Sequence, residues 1–255
     1  MADYVITGLH PFIDRLSSHS ILSDLEKQAL SNLSARPLQV KAQRDIVRLD
    51  TQTNDACFIV DGIAGRFGQN LNGERQITAF HIPGDMADLH SVVLPNATSA
   101  LQALTDTSVL LVPHTELRSV AARFPGVAEA FWRECMIGAA MLSQWVVNVG
   151  RRDASTRLAH LFCEMAVRYG ATLDQAGSYR FPVTQDHLGD ATGLTGVHVN
   201  RTMKLLRNAG LVRMQLKEVE IMDWNGLRLA GQFDASYLGM RMRETQPLRL
   251  LDLAL

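Results

Sequence analysis

The chain has 255 residues, 47% hydrophobic and 20% charged, the composition of a globular protein with room for one large domain or, as expected here, two ordinary ones. No apolar run approaches the roughly 20 residues of a membrane span, and the opening Met-Ala-Asp-Tyr-Val-Ile-Thr has neither the basic nor the apolar region of a signal peptide, so a cytoplasmic protein without a membrane partner is expected. The net charge of -1 is unevenly spread: residues 1–150 carry 11 basic and 15 acidic side chains, residues 151–213 nine and five, and the last 42 residues five and six. A polyanion would be drawn to the basic stretch.

In chain order, residues 21–33 have helical periodicity. Residues 37–113 then change to short β-type segments, with strands expected at 45–49, 56–60, 63–69, 75–81, 99–105 and 108–112. Asn72-Gly73 between two of them is a hairpin signal, and the strand lengths predict a compact β-roll or jelly roll. Cys57, Cys135 and Cys163 lie far apart among apolar residues, which indicates buried free thiols and neither a disulfide framework nor a metal site. His10, His19, His81, His114, His160, His187 and His198 show no paired spacing with carboxylates or thiols.

The helical pattern returns at residue 115, and Pro125 suits the first turn of a long helix running toward Gly150. Phe131, Cys135, Gly138, Leu142, Trp145 and Val149 recur at spacings of four and three, a heptad-like seam on which two copies of the helix could pack. A neighbouring apolar face, Val127, Met141 and Val146, is left for contacts within the chain. The alternative is that the seam itself packs on the β-domain. Gly150-Arg151-Arg152-Asp153 then forms a hinge before an amphipathic helix over 154–169.

Residues 184–207 predict two short helices joined by a tight turn. Thr184 caps the first helix, Gly193 supplies the turn, and Thr195 caps a second helix that runs to Gly210. Leu188, Ala191, Leu194, Val199 and Leu206 point inward, and Gly189 is small where the helices cross. Val197, His198, Asn200, Arg201 and Lys204 face outward. Arginine can bond guanine O6 and N7, asparagine can reach a base edge, valine can pack on a thymine methyl, and Lys204 or Arg207 can neutralise phosphates. Polar residues on an ordinary solvated helix would look similar, but Leu211, Val212 and Met214, a Lys217-Glu218 turn, then Val219, Ile221 and Met222 resemble a two-stranded wing.

A β-roll, a long helix and a winged helix-turn-helix together resemble the cyclic-AMP receptor protein/FNR family of bacterial transcription regulators. The resemblance spans about residues 22–238 and rests on Phe58-Ile59-Val60-Asp61-Gly62, Ile82-Pro83-Gly84-Asp85, Arg157-Leu158-Ala159, and Gly193-Leu194-Thr195 with Val199-Asn200-Arg201. It implies an α+β chain: a cyclic-nucleotide-binding-like β-roll with an N-terminal helical region over 1–124, a dimerisation helix over 125–150 and a winged helix-turn-helix over 151–239. Beyond it lies a tail over 240–255, whose leucines are expected to pack on the body, with a partner subunit as the alternative. The resemblance also implies a homodimer on palindromic double-stranded operator DNA, with no catalysis, and contact with RNA polymerase if the regulator activates. Val197, Asn200 and Arg201 fall where the family reads bases. Val197 replaces a frequent glutamate and Gly196 a phosphate-binding arginine, so the operator should differ from the family consensus.

The same resemblance places a possible effector pocket at Asp88, His90, Thr98 and Ser99. Thr98 stands where cyclic-nucleotide binders have arginine, and Asp88 adds a negative charge against a phosphate. No cysteine precedes Cys57, which rules against a four-thiolate iron-sulfur cluster, and Asp88 replaces the thiolate of the haem-binding pattern beside His90. No cofactor or metal is therefore expected, and the effector stays open. Two other classes remain: a cupin-like β-roll enzyme, which would need clustered histidines and a carboxylate on facing strands, and a protein-interaction module whose winged helix does not bind DNA.

Overall fold

A computed structural model describes residues 8–171 and 177–239, which divide into two compact units. The predicted packing of the tail over 240–255 lies outside the described residues.

The first unit comprises the described residues up to 64, residues 81–139 and the last two of the described chain. It opens with α1 (His10–His19), which has Pro11 in its first turn and buries Phe12, Ile13 and Leu16, a helix the sequence reading did not anticipate. The helix expected at 21–33 is α2 (Asp24–Ser31), held by a capping box in which Ser23 and Glu26 satisfy each other's backbone N–H groups. Strands β1 (Arg36–Val40), β2 (Asp45–Val47), β3 (Asp55–Asp61), β4 (Ala64–Gln69), β5 (Arg75–His81), β6 (Ala100–Ala103) and β7 (Thr107–Pro113) follow the predicted pattern, with β1 added. A 3-10 turn over Leu89–Val92 separates β5 from β6, and α3 (His114–Arg123) follows β7.

In this unit, β7 lies antiparallel between β1 and β3, and β2 pairs with β6 across a bulge. β3 is apolar on both faces for a reason visible in the packing. Ala56 and Phe58 belong to one core, with Phe12, Leu110, Val112 and Phe131, while Cys57 and Ile59 belong to another, with Val47, Ala64, Leu101 and Val109. Successive side chains of a strand point to opposite faces, so burying both produces an unbroken apolar run. Phe12 stacks on Phe131 at 6.1 Å and meets Phe58 in a tilted contact at 6.3 Å.

One polar group is built into this unit. Arg15 donates from Nη1 to Asp85 (2.9 Å) and from Nε to Glu134 (2.6 Å), while His19 Nε2 lies 2.9 Å from the other Glu134 oxygen. Asp85 also accepts the Ile82 N–H at 2.9 Å, closing the Pro83-Gly84 turn. Burial opposes ionisation of Glu134, but the His19 hydrogen bond and the Arg15 charge outweigh it and hold the carboxyl below its usual range.

The long helix α4 (Pro125–Arg151) gives its residues through Ala139 to the first unit and the remainder to the second. The second unit also holds residues 65–80 and the chain to Tyr237. The reason is local packing. Phe80 meets Trp145 and Phe181 edge-on at 5.7 and 5.3 Å, and Arg168 Nη2 donates to the Phe80 carbonyl at 2.8 Å.

The predicted hinge ends at Asp153, whose carboxylate accepts the Thr156 N–H at 2.9 Å and caps α5 (Ala154–Arg168). After it come β8 (Gly177–Arg180), α6 (Gln185–Thr192), α7 (Gly196–Asn208), β9 (Val212–Gln215), β10 (Glu218–Ile221), α8 (Trp224–Ala230) and a 3-10 turn over Ala235–Leu238. The strand order β8-β10-β9 makes the wing a three-stranded sheet, one strand more than expected. Leu158, Phe162, Met165, Leu188, Val199, Leu206, Val219 and Leu227 are all buried in this unit.

Candidate nucleic-acid interface

Both helices of the predicted pair begin at the threonines assigned to cap them. Thr184 Oγ1 accepts the His187 N–H at 3.2 Å, and His187 Nδ1 accepts the Thr184 N–H at 3.3 Å. Burial first, then the nearby Arg75 charge, pushes the His187 pKa down, which keeps Nδ1 available as an acceptor. At α7 the cap is one-way: Thr195 Oγ1 accepts the His198 N–H at 3.4 Å. Between the helices, Gly193 adopts φ +65°, and a Cβ on Gly189 would sit 2.6 Å from the Leu194 carbonyl oxygen. The turn is tight because both positions lack a side chain.

The end of α6 is anchored by donors from distant residues, which the sequence did not reveal. Arg157 Nη1 donates to the Thr192 carbonyl at 2.9 Å and Gln76 Nε2 to the Ala191 carbonyl at 3.2 Å. Arg75 stands 4.0 Å from Asp190. The last carbonyls of a helix lack partners within it, and these side chains supply them.

On α7, Val199, Thr202 and Leu206 are buried, so the helix turns Val197, His198, Asn200, Arg201, Lys204 and Arg207 to solvent, as predicted. Gln185 Nε2 donates to Asn200 Oδ1 at 2.7 Å, leaving the amide N–H groups of Asn200 as the donors to offer a base. The contact was not legible in the sequence, because the place of Gln185 at the first position of α6 carries no signal without the crossing angle. Along α7 runs a groove of about 730 Å³ whose lining includes Asn200, Arg201, Lys204 and Arg207 from the helix and Met214, Gln215 and Leu216 from the wing.

The other predicted groups fare differently. Of the seam on α4, Phe131 and Trp145 are buried against their own chain, Cys135 and Val149 are half-buried, and Gly138 and Leu142 are exposed. Val127 and Met141 are buried as expected, but Val146 is exposed. The outward apolar face is instead Trp132, Met136, Ala139, Leu142 and Val146, turned by about one residue from the predicted seam. Phe131 is claimed by the aromatic core and Trp145 by Glu164, contacts that no helical period reports. Of the possible effector pocket, Asp88 is buried, Ser99 half-buried, and His90 and Thr98 exposed. Ser91, buried beside them in sequence, pairs with His114 Nε2 at 2.7 Å.

Among the described residues, no group of three or more His, Cys, Asp or Glu is placed to hold a metal ion. Nor is any described helix long and apolar enough to cross a membrane.

Comparison with known proteins agrees with this architecture. Residues 37–124 match the cyclic nucleotide-binding domain family, and residues 156–230 match the Crp-like helix-turn-helix domain family. The chain is 25% identical over 215 residues to the anaerobic regulatory protein of Haemophilus influenzae, covering 84% of each chain. It is 27% identical over 214 residues to the transcriptional regulatory protein btr of Bordetella pertussis, covering 81% of this chain and 86% of the other. Among solved structures, FixK2 of Bradyrhizobium japonicum superposes with a TM-score of 0.70 at 24% identity, covering 80% of this chain and 100% of that one. A CooA variant from Carboxydothermus hydrogenoformans has a TM-score of 0.65 at 15% identity over 91% and 97% of the two chains. With the β-roll, the long helix and the capped helix pair all in place, the chain belongs to the Crp/Fnr family of bacterial transcription regulators.

Proposed function

We propose that the chain is a cytoplasmic, homodimeric regulator that places α7 in the major groove of each half of a palindromic operator. The observation that carries this reading is the doubly supported helix pair, which presents Asn200, Arg201 and Lys204 on one exposed face of α7. Arg201 fits guanine O6 and N7, the Asn200 amide fits a base acceptor, and Val197 fits a thymine methyl, so its half-site position should favour thymine. Lys204 and Arg207 neutralise phosphates. The exposed apolar face of α4, with Trp132, Met136 and Val146, is the surface on which a second copy packs.

This reading includes no catalytic step, metal or haem, and no iron-sulfur cluster or cyclic nucleotide. Thr98 is exposed and uncharged where a buried phosphate would need a cation. The β-roll then answers a different effector or none, and RNA polymerase is a partner if the protein activates.

Selection of duplexes from a random pool, followed by binding in rising salt, tests the proposal. The expected result is a palindromic consensus and an affinity that falls steeply with ionic strength. Absence of duplex preference at low salt would remove it.

A further inference from the structure

We infer that Gln185 is a positioning residue for base recognition: it holds the Asn200 amide with its N–H groups outward, so that Asn200 selects a base presenting an acceptor and rejects cytosine. The inference rests on the DNA-binding reading above and adds a specificity determinant that lies outside α7.

The first observation is the pair itself. Gln185, the first residue of α6, donates from Nε2 to Asn200 Oδ1 at 2.7 Å, and both side chains are exposed. Neither helix needs this contact, since Thr184 and His187 cap α6, Thr195 caps α7, and burial of Val199, Thr202 and Leu206 decides which way α7 faces. Between two solvated side chains, a hydrogen bond adds little to stability because water competes for both partners. What it does fix is direction.

The second observation is the room left for the pair. A helical side chain leans over the turn that precedes it, which for Asn200 is the turn beginning at Gly196. A Cβ on Gly196 would have Asp186 Oδ1, at 3.8 Å, as its nearest contact from outside α7, so the way back to α6 is open. The capped backbones on either side keep the two residues in reach of each other. Both also line the 730 Å³ groove beside Arg201 and Lys204, where the base edges would arrive.

An asparagine amide carries an oxygen on one side and an NH2 group on the other, so a free side chain serves donor or acceptor bases by turning over. Pairing with Gln185 restricts that freedom, because reversal requires both amides to turn together. At a base edge, water no longer replaces a broken contact, and turning Asn200 alone would set two NH2 groups against each other. With its N–H groups outward, Asn200 meets guanine O6 and N7, thymine O4 or adenine N7, whereas cytosine offers only its N4 donor.

The test selects duplexes from a random pool with the full-length wild type, Gln185→Ala, Gln185→Glu, Asn200→Ala, and Gln185→Glu combined with Asn200→Ala. The position that Asn200 reads is the one where Asn200→Ala loses preference. There the wild type should deplete cytosine about tenfold, and Gln185→Ala should relax that depletion while keeping the preference set by Arg201. Gln185→Glu should reverse it toward cytosine or adenine, because a carboxylate only accepts and draws the Asn200 N–H groups inward, leaving Oδ1 to face the base. A carboxylate in the first turn suits α6, so this variant should melt near the wild-type temperature while its added charge weakens binding to all duplexes alike. Unchanged base preference in both Gln185 variants, a wild type that prefers cytosine, or a cytosine preference that persists in the double variant would each overturn the inference and leave the DNA-binding reading standing. A wild type that prefers no duplex would remove both.

Discussion

The indole N–H of Trp145 donates to the carboxylate of Glu164, 3.0 Å to Oε2 and 3.2 Å to Oε1, and both side chains are buried. Glu164 is further held by the Tyr237 hydroxyl at 2.9 Å and by Arg168 at 3.4 Å. Burial raises the Glu164 pKa, since a carboxylate removed from water is destabilised even with donors around it. Trp145 therefore belongs to the protomer's interior.

Trp145→Phe should keep the contact with Phe80 but leave Glu164 short of a donor, costing about 1–3 kcal/mol in urea unfolding with unchanged dimer dissociation. Met136→Glu and Val146→Glu should do the opposite. Both positions are exposed, so monomer stability should stay within about 0.5 kcal/mol while sedimentation shows a shift toward monomer and operator affinity falls. Equal dimerisation in those two variants would relocate the interface.

His160 gives the second unit a pH dependence of predictable sign. Burial, then the Arg152 charge, lowers its pKa from 6.5 to about 4, and Nδ1 donates to the Gly231 carbonyl at 3.0 Å. Below the unfolded value of 6.5 the unfolded chain takes up a proton that the folded chain refuses until about 4. The contribution is therefore complete above that window and is lost as pH falls through it, on the order of 2–3 kcal/mol. Glu164, with a raised folded pKa, acts in the reverse sense, losing its share as pH rises. The difference between wild type and His160→Gln, followed by urea unfolding across this range, isolates the histidine; parallel curves would show that His160 does not titrate this way.

Gly189→Ala should be costly despite being a single methyl group. The added Cβ meets backbone, the Leu194 carbonyl oxygen at 2.6 Å, and neither helix can move without breaking the turn. A loss of about 2–3 kcal/mol is expected by thermal unfolding, with DNA binding reduced in proportion to any misplacement of α7.

Arg201→Ala and Lys204→Ala should separate recognition from attraction. The first should flatten sequence preference at one base pair at a cost of about 1–3 kcal/mol for the best operator. The second should weaken all duplexes alike and reduce the salt slope by about one. Equal loss of discrimination in both would cancel these assignments.

The helix pair was legible in the sequence because its determinants are local. Thr184, Gly193 and Thr195 act within three or four residues of themselves, and the exposed face of α7 follows from where Val199 and Leu206 must go. The β-strands were legible for the same reason, through Asn72-Gly73 and strand-length apolar runs. The face of α4 was not, because two apolar stripes on one helix are equivalent until tertiary partners choose between them. Glu164 lies 19 residues from Trp145, and Phe12 lies more than 100 from Phe131. β8 and α8 were missed because Gly-Ser-Tyr-Arg is short and α8 spans seven residues, too few for a period to emerge. Gln76 and Arg157 show the same limit from the opposite direction: their hydrogen bonds to α6 satisfy backbone carbonyls, which have no residue code.

Arg15 is the shared counterion of two acids, Asp85 and Glu134, that lie 70 and 119 positions downstream. A shortened variant starting after His19 would strip away that cation together with the wedge formed by Phe12 and Leu16. Two carboxylates would then confront one another beside a hollow once filled by an aromatic ring. The leading helix is accordingly a structural plug for the sensor-like unit, and trimming it for convenience in crystallisation or tagging would yield a protein with a different interior.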